Sequence, residues 1–410
     1  MDKKRIVITG IGVICSNGTG RDAFFEAVEK GTSGIKPISL FDTASYRVKT
    51  AGEIKDFNPS DFLGSKGLRT LDRSTKLVSS ASKLAFLDAG VVVTEDNACQ
   101  VGFVCGNTLG SVNSISEFDK EALVEGPQYV NPAFFPNTVI NSPASQVSIK
   151  FNIKGFNTTI STGFSASLDA ISYAVDFLRL GRAKMVLAAG VEELCIQTFL
   201  GFLKTGFLSG SKDGQREICS PFDKNRNGIV LGEGSAVLVL EALEDALLRK
   251  AKIYAEITGF GRGFDSYRVN KYNPTGAGLK KAMRGALADS GLSPEDIDYV
   301  SSAANSTKEA DRIECDAINE VFGPGAAVTA IKSMTGECFS ATGAIAVCAA
   351  AGAIEKQIVP PTINVSEKDP GCCINLVAER AIKRKVDNIL VNAFGPSGCN
   401  ASLVVSKFRS

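Results

Sequence analysis

No histidine occurs anywhere in the 410-residue chain. Lacking an imidazole, it has no ordinary general base or proton shuttle for neutral pH, and Ser-His and Cys-His nucleophile systems are excluded within it. Most zinc chemistry goes with the histidines, and the eleven cysteines contain no CxxC pair to replace them. Their odd number, spread from Cys15 to Cys399 without a secretory signal, predicts reduced, buried thiols in a cytoplasmic protein. No metal and no cofactor is expected. An excess of one charge is missing as well: 45 Lys+Arg against 44 Asp+Glu leave a net charge of +1. With no basic block, nothing points to nucleic acid or an anionic membrane as a partner. The longest low-charge run, Phe339 to Ile354, has sixteen residues. That is short of the about 20 that a membrane span requires, so a buried small-residue helix is predicted there. Glycines interrupt the apolar run that follows Met1–Arg5, and no A-x-A site comes after it, which favours a buried first strand over a signal peptide.

What is present suits a large packed core: 44% hydrophobic residues, 22% charged, and forty glycines for tight turns and close backbone approaches. Short β-branched runs recur at Arg5–Thr9, Val101–Cys105, Met185–Ala189, Ala236–Leu240, Tyr254–Thr258, Tyr299–Ser302 and Asn388–Val391. Continuous apolar runs of this length predict strands buried on both faces. Helical stretches lie between them, at Arg69–Ala89, Ser165–Arg182, Leu279–Asp289 and Asp311–Val321, and the alternation predicts an α/β fold. A degenerate internal echo pairs Arg5–Gly12 with Tyr254–Gly261, Val101–Thr108 with Tyr299–Ser306, and Lys184–Gly190 with Asn388–Gly395. Three matches in the same order suggest two similar halves, 1–250 and 251–410, packed as one body. The stretch 107–143 stands apart as polar and proline-rich, with Tyr129, Phe134 and Phe135, and is expected to be a functional loop or an interface.

Few segments carry recognisable chemistry. Ser161-Thr162-Gly163-Phe164-Ser165 joins a predicted strand to a helix, a place where a thiolate would be stabilised, yet it holds none. An N-cap with Phe164 packed into the core is the simpler reading. The stretch Asp223–Glu233 has the wrong spacing for a calcium loop, and Gly10-x-Gly12 lacks the third glycine of a dinucleotide fingerprint. Lys332 and Glu337 stand close together at the start of the small-residue helix, where they would make a buried pair. Cys338 has a carboxylate neighbour, which disfavours its thiolate. Cys399 falls in a tight glycine loop.

Taken together, these segments resemble the condensing enzymes of the thiolase fold, in particular the β-ketoacyl-ACP synthase II type. The likeness runs from Val7 to Val404 and rests on Pro221-Phe222-Asp223, Gly228-x-Val230-Leu231-Gly232-Glu233-Gly234, Lys332-Ser333-Met334-Thr335-Gly336 and Asn392-x-Phe394-Gly395 followed by Asn400-Ala401-Ser402-Leu403. It implies a duplicated, five-layered αβαβα thiolase-like body that dimerises. The departures matter more. The family's nucleophilic cysteine falls at Phe164, its first catalytic histidine at Ala303 and its second at Glu337, while Lys332, Asp311 and Glu314 remain as scaffold. Two gating phenylalanines are replaced by Ile229 and Pro396. Condensation needs a thiolate for the acyl chain and donors for the enolate, so it is not expected of this chain alone.

The resemblance therefore narrows to the chain length factors of type II polyketide synthases. Those are non-catalytic subunits that pair with a competent ketosynthase and wall its product tunnel, with acyl carrier protein reaching the complex. Thr108, Leu109, Val112, Ile115, Ala133 and Phe134 are the candidate wall and interface. Phe164 cannot hydrogen-bond, which argues against a priming or decarboxylating role. The alternatives are an acyltransferase or thioesterase-like enzyme using Glu337 and Lys332, or a homodimeric acyl-binding protein.

Overall fold

The computed structural model describes residues 3–409; Met1, Asp2 and Ser410 lie outside them. Eleven strands follow one hydrogen-bonded path: β1 (Ile6–Cys15), β2 (Val101–Gly106), β3 (Asn157–Ile160), β4 (Met185–Glu192), β5 (Gly234–Ala242), β6 (Ala255–Phe264), β7 (Tyr299–Ser301), β8 (Ala327–Thr329), β9 (Asn375–Leu376), β10 (Asn388–Phe394) and β11 (Cys399–Ser406). Their order across the sheet is β9-β8-β7-β10-β11-β6-β1-β5-β4-β2-β3. The main helices are α1 (Arg73–Ala89), α2 (Val112–Glu125), α3 (Ser142–Lys150), α4 (Ala166–Arg179), α5 (Ile196–Lys204), α6 (Ala277–Ser290), α7 (Lys308–Phe322) and α8 (Thr342–Lys356).

The order reads alike in both directions from the centre. Outward from β1 come β5 and β4, antiparallel, then β2 and β3, parallel. Outward from β6 come β11 and β10, antiparallel, then β7 and β8, parallel. The two sets join where β1 pairs antiparallel with β6 through Ile6–Ile257, Val7–Glu256 and Ile8–Ala255. Each segment of the sequence echo falls on an equivalent strand: β1 with β6, β2 with β7, β4 with β10.

Strand residues alternate between two cores. On β5, Ala236, Leu238 and Leu240 face the central core, while Val237 and Val239 face an outer one. On β10, Ile389, Val391 and Ala393 face the centre and Leu390 and Phe394 face the opposite outer core. Period-2 alternation with both sides apolar is the reason these strands read as unbroken hydrophobic runs. Helices α4 and α8 fill the centre, α1 and α3 cover one outer face, and α6 and α7 cover the other. That is the expected thiolase-like five-layered arrangement. The small-residue run becomes α8, buried from Thr342 to Ile354, with Ala344 N donating to Ser167 Oγ of α4 at 2.9 Å.

The glycine pairs in the echo have a packing cause. A Cβ at Gly12 would overlap the carbonyl oxygen of Ala81 on α1, and one at Gly261 would overlap that of Ala282 on α6. Each half thus lays a helix directly onto its first strand, which gives Gly10-x-Gly12 a packing cause.

Two expectations are corrected. The stretch 107–143 is not mainly loop: it contains α2 and the short 3₁₀ turns Pro127–Tyr129 and Pro132–Thr138. The cysteines are all free, but Cys99 and Cys373 are exposed and Cys399 is half-buried, so burial does not hold for every thiol. Among the described residues no helix is long and apolar enough to cross a membrane.

Gly12→Ala is expected to cost about 3 kcal/mol, the upper end for overpacking, because a backbone oxygen cannot rotate away. Gly201→Ala on α5, with open space around it, is expected to gain up to about 1 kcal/mol from helix propensity. Urea unfolding of the two variants against the parent chain checks the contrast.

Candidate functional site

A cavity of about 440 Å³ opens beyond the carboxyl ends of β2, β3 and β7, where α/β sheets commonly place ligands. Thr108 and Leu109 arrive on the loop after β2, Val112 at the start of α2, and Phe164 on the Gly163–Ser165 turn that leads into α4. The loops are pinned from behind. Thr108 Oγ1 donates to the Gly163 carbonyl at 2.7 Å, and Leu109 N donates to Glu192 Oε1 at 3.1 Å.

Phe164 is half-buried: as expected it packs against a buried hydrophobic cluster, and it also lines the cavity. Its ring meets Phe339 edge-on at 5.2 Å, and Phe339 stacks on Phe202 of α5 at 5.0 Å. The Phe164 ring occupies the space that a Cβ at Gly395 would take. Ile229 and Pro396 also line the cavity, as do Phe202, Phe207, Tyr272 and Asn305. Of the six candidate wall residues, Thr108, Leu109 and Val112 reach it. Ile115, Ala133 and Phe134 do not; they lie exposed on the surface of this chain.

Ala303, Lys332 and Glu337 come together behind this wall. Lys332 Nζ donates to Glu337 Oε2 at 2.7 Å and to the Ala303 carbonyl at 2.8 Å, with both charged residues at most 2% exposed. Glu337 Oε1 accepts from Phe339 N at 3.0 Å and from Thr342 Oγ1 at 3.1 Å. Asn305 Nδ2 approaches Glu337 Oε2 at 3.2 Å, which places Asn305 between the ion pair and the cavity. Lys332 is thus bonded to Glu337 and not to Glu314.

Asp311 and Glu314 hold backbone. Asp311 accepts from Phe222 N and Asn305 N, each at 2.9 Å, and faces Arg226 Nε at 3.3 Å. Burial pushes its carboxyl up to about 7 against the opposing pull of Arg226. Glu314 accepts from Ser302 Oγ at 2.6 Å, Ala303 N at 2.9 Å and Asn392 Nδ2 at 3.0 Å, and burial raises its carboxyl as well. Among the described residues, no group of three or more metal-ligating side chains is arranged to hold a metal ion.

Sequence reasoning missed the aromatic wall supplied by Phe202, Phe207 and Phe339, and the acids Glu192 and Glu193. Two carboxylates ending the apolar run of β4 were a readable sign of a buried polar site. Burial pushes Glu192 up to about 7; it pushes Glu193 up to about 8, helped by nearby Asp72. Among the described residues, the Glu193 Oε1 atom has no hydrogen-bond partner.

Lys332→Met is expected to lose about 3–5 kcal/mol by stranding the Glu337 charge, and Lys332→Met/Glu337→Gln to recover a good part of it, as read by urea unfolding. Because Glu192, Glu193 and Asp311 all titrate higher in the fold than their ordinary values of 4.5 and 3.8, the fold binds more protons than the unfolded chain. Their contribution to stability is fully present below about pH 4 and declines as pH rises toward 8. Stability measured from pH 5.5 to 8.5 is expected to fall, with a shallower slope in Glu193→Gln.

Known families match this chain across nearly its full length. The family described as "Beta-ketoacyl synthase, N-terminal domain" matches residues 3–246, and "Beta-ketoacyl synthase, C-terminal domain" matches residues 254–366. A 3-oxoacyl-[acyl-carrier-protein] synthase 2 from Coxiella burnetii is 36% identical over 411 residues, covering 99% of each chain. Among solved structures, the ishigamide ketosynthase/chain length factor superposes with a TM-score of 0.93 at 32% identity, covering all of both chains. A type II polyketide synthase acyl carrier protein in complex with its ketosynthase, AntDE:AntF, gives 0.90 at 26% identity, covering 99% of this chain and all of that one. With the fold, the cavity and its polar floor in the same frame, the chain belongs to the β-ketoacyl synthase family.

Proposed function

We propose that this chain is a non-catalytic subunit, similar in role to a chain length factor, that pairs with a competent ketosynthase and shapes the tunnel for its carrier-bound acyl or polyketide chain. The observation that carries the reading is the chemistry of the cavity wall. Among the described residues, no cysteine, carboxylate, lysine or arginine lines it, and the one ionisable group there is the Tyr272 phenol, which burial pushes up. Phe164, Ala303 and Glu337 would stand where the family keeps its cysteine and two histidines. A phenyl ring cannot hold an acyl chain covalently, and a methyl group cannot donate to an enolate. Glu337 and Lys332 neutralise each other behind Asn305, which counts against an altered enzyme built on them. In the same proposal, the halves 1–250 and 251–410 are the product of a duplication.

The outer surface supports a protein partner. Leu123 is 86% exposed and Val124 75%, and Ile115, Tyr129, Phe134, Phe135, Val139, Ile140 and Ile149 are exposed in the same stretch. A concentration of exposed apolar side chains in one region marks an interaction site. Two of the structural relatives are described as a ketosynthase with a chain length factor and as a ketosynthase with an acyl carrier protein.

Co-expression with a Cys-His-His ketosynthase, followed by native mass spectrometry, is expected to give a one-to-one heterodimer that elongates a carrier-bound chain only when both subunits are present. A homodimer indifferent to the ketosynthase would replace this reading with acyl binding. Turnover by the isolated chain that Glu337→Gln abolishes would replace it with altered catalysis. Phe164→Cys alone is expected to leave the isolated chain without condensing activity. Val112→Phe, which narrows the cavity, is expected to shorten the products of the complex, as read by mass spectrometry of the released chains.

A further inference from the structure

The cavity has two unlike ends. One face of α5 runs along it: Gln197, Thr198, Gly201 and Phe202 line the wall at helical spacing, and Thr205 follows just past the helix. From Gln197 to Thr205 that face spans about 12 Å, at 1.5 Å of rise per residue. Thr205 is exposed and, with Phe207, also borders a polar basin of about 880 Å³ that Lys271 and Lys308 line, so this end is the mouth. Thr198, toward the other end, is buried. Most of the wall's polar groups are already used within the protein. Thr108 Oγ1 bonds the Gly163 carbonyl, Thr198 Oγ1 lies 3.3 Å from Cys195 Sγ, and Thr205 Oγ1 donates to the Phe202 carbonyl at 3.0 Å. Asn305 is bonded to Glu337 and to Thr307. Asn270 and Ser397 are exposed. Gln197 differs from all of these: its Oε1 is a buried atom that has no hydrogen-bond partner among the described residues. A buried acceptor left in that state carries a cost that a ligand donor would remove. The terminal torsion of a glutamine is broad, so the amide can turn either its oxygen or its nitrogen toward the cavity.

Resting on the tunnel reading above, we infer that Gln197 is a specificity-determining residue, and that the cavity takes an acyl chain whose far end bears a hydroxyl group held by the Gln197 amide. A hydroxyl can donate to Oε1 or accept from Nε2, whereas a hydrocarbon end does neither and leaves the acceptor unpaired. A charged end is excluded, because among the described residues no lysine, arginine or carboxylate lines the wall. The chain therefore enters with its activated or charged end at the mouth, passes the rings of Phe202 and Phe164 as hydrocarbon, and places its one neutral polar group beside Gln197.

The test titrates the full chain calorimetrically with decanoic acid and with 10-hydroxydecanoic acid, whose charged carboxylates stay at the mouth and send the other end inward. The parent chain is expected to bind the hydroxy acid at least as tightly as decanoic acid. In Gln197→Leu and in Gln197→Met, decanoic acid is expected to bind the more tightly, by roughly tenfold, and its retained binding shows that the variants are folded. Val112→Phe is expected to weaken both acids, which places them in the cavity. If the preference between the two acids is the same with and without Gln197 while Val112→Phe still weakens both, the hydroxyl inference is overturned and the chain-binding reading stands. If neither acid binds, or Val112→Phe leaves both unchanged, the chain-binding reading falls and the inference falls with it.

Discussion

The buried ammonium of Lys332 is the constraint on which the site depends. An unpaired charge at that depth would cost several kcal/mol, and the chain answers it with Glu337 and the carbonyl of Ala303. The consequences run outward from that carboxylate. Its second oxygen takes the backbone N–H of Phe339 and the hydroxyl of Thr342, which fixes where α8 begins. Phe339 is thereby held at a left-handed φ of 43°, a conformation uncommon for a bulky residue. In that pose its ring stands between Phe202 and Phe164. A charge pair with no access to the cavity thus sets the shape of the cavity wall.

Asp311 and Glu314 are explained by the same accounting of polar groups. Between them they accept the backbone N–H groups of Phe222, Ala303 and Asn305, and the side chains of Ser302 and Asn392. Removing either acid would leave buried donors without partners, each costing about 1–3 kcal/mol. This need exists whatever stands at positions 164, 303 and 337. Scaffold acids can therefore persist beside a cavity wall whatever side chains line it, because what they hold is the loop and not a reacting atom.

The fold was legible in the sequence where burial is two-sided. β4, β5 and β10 are apolar on both faces, so they read as near-continuous runs, and the glycine pairs at Gly10/Gly12 and Gly259/Gly261 mark the same helix-on-strand contact in both halves. Helix α2 was hidden by its neighbourhood. The prolines at 127, 132 and 136 coloured the whole stretch as loop, yet Val112, Ile115 and Phe118 already repeat at helical spacing ahead of them. The Lys332–Glu337 pair was foreseeable from five-residue proximity at a helix start. The aromatic wall was not, since Phe202 and Phe339 lie 137 positions apart and only the packing of α5 against the α8 entrance unites them.

Helix α2 ties the inside of the molecule to its outside. Its first residue, Val112, lines the cavity, whereas Ile115, one turn further on, and Leu123 and Val124 at its far end face solvent. Displacing the helix along or about its axis would move both surfaces together. A protein that covered the exposed residues would gain the apolar area they present and would at the same time fix Val112 against the cavity. The wall on the other side, Phe164 backed by Phe339 and Gly395, is braced by the polar core and does not share that freedom. One side of the cavity is thus set by this chain's own buried charges, and the other is left to whatever binds the surface. The proposed role, in which the chain shapes a ligand path without reacting with the ligand, calls for that division.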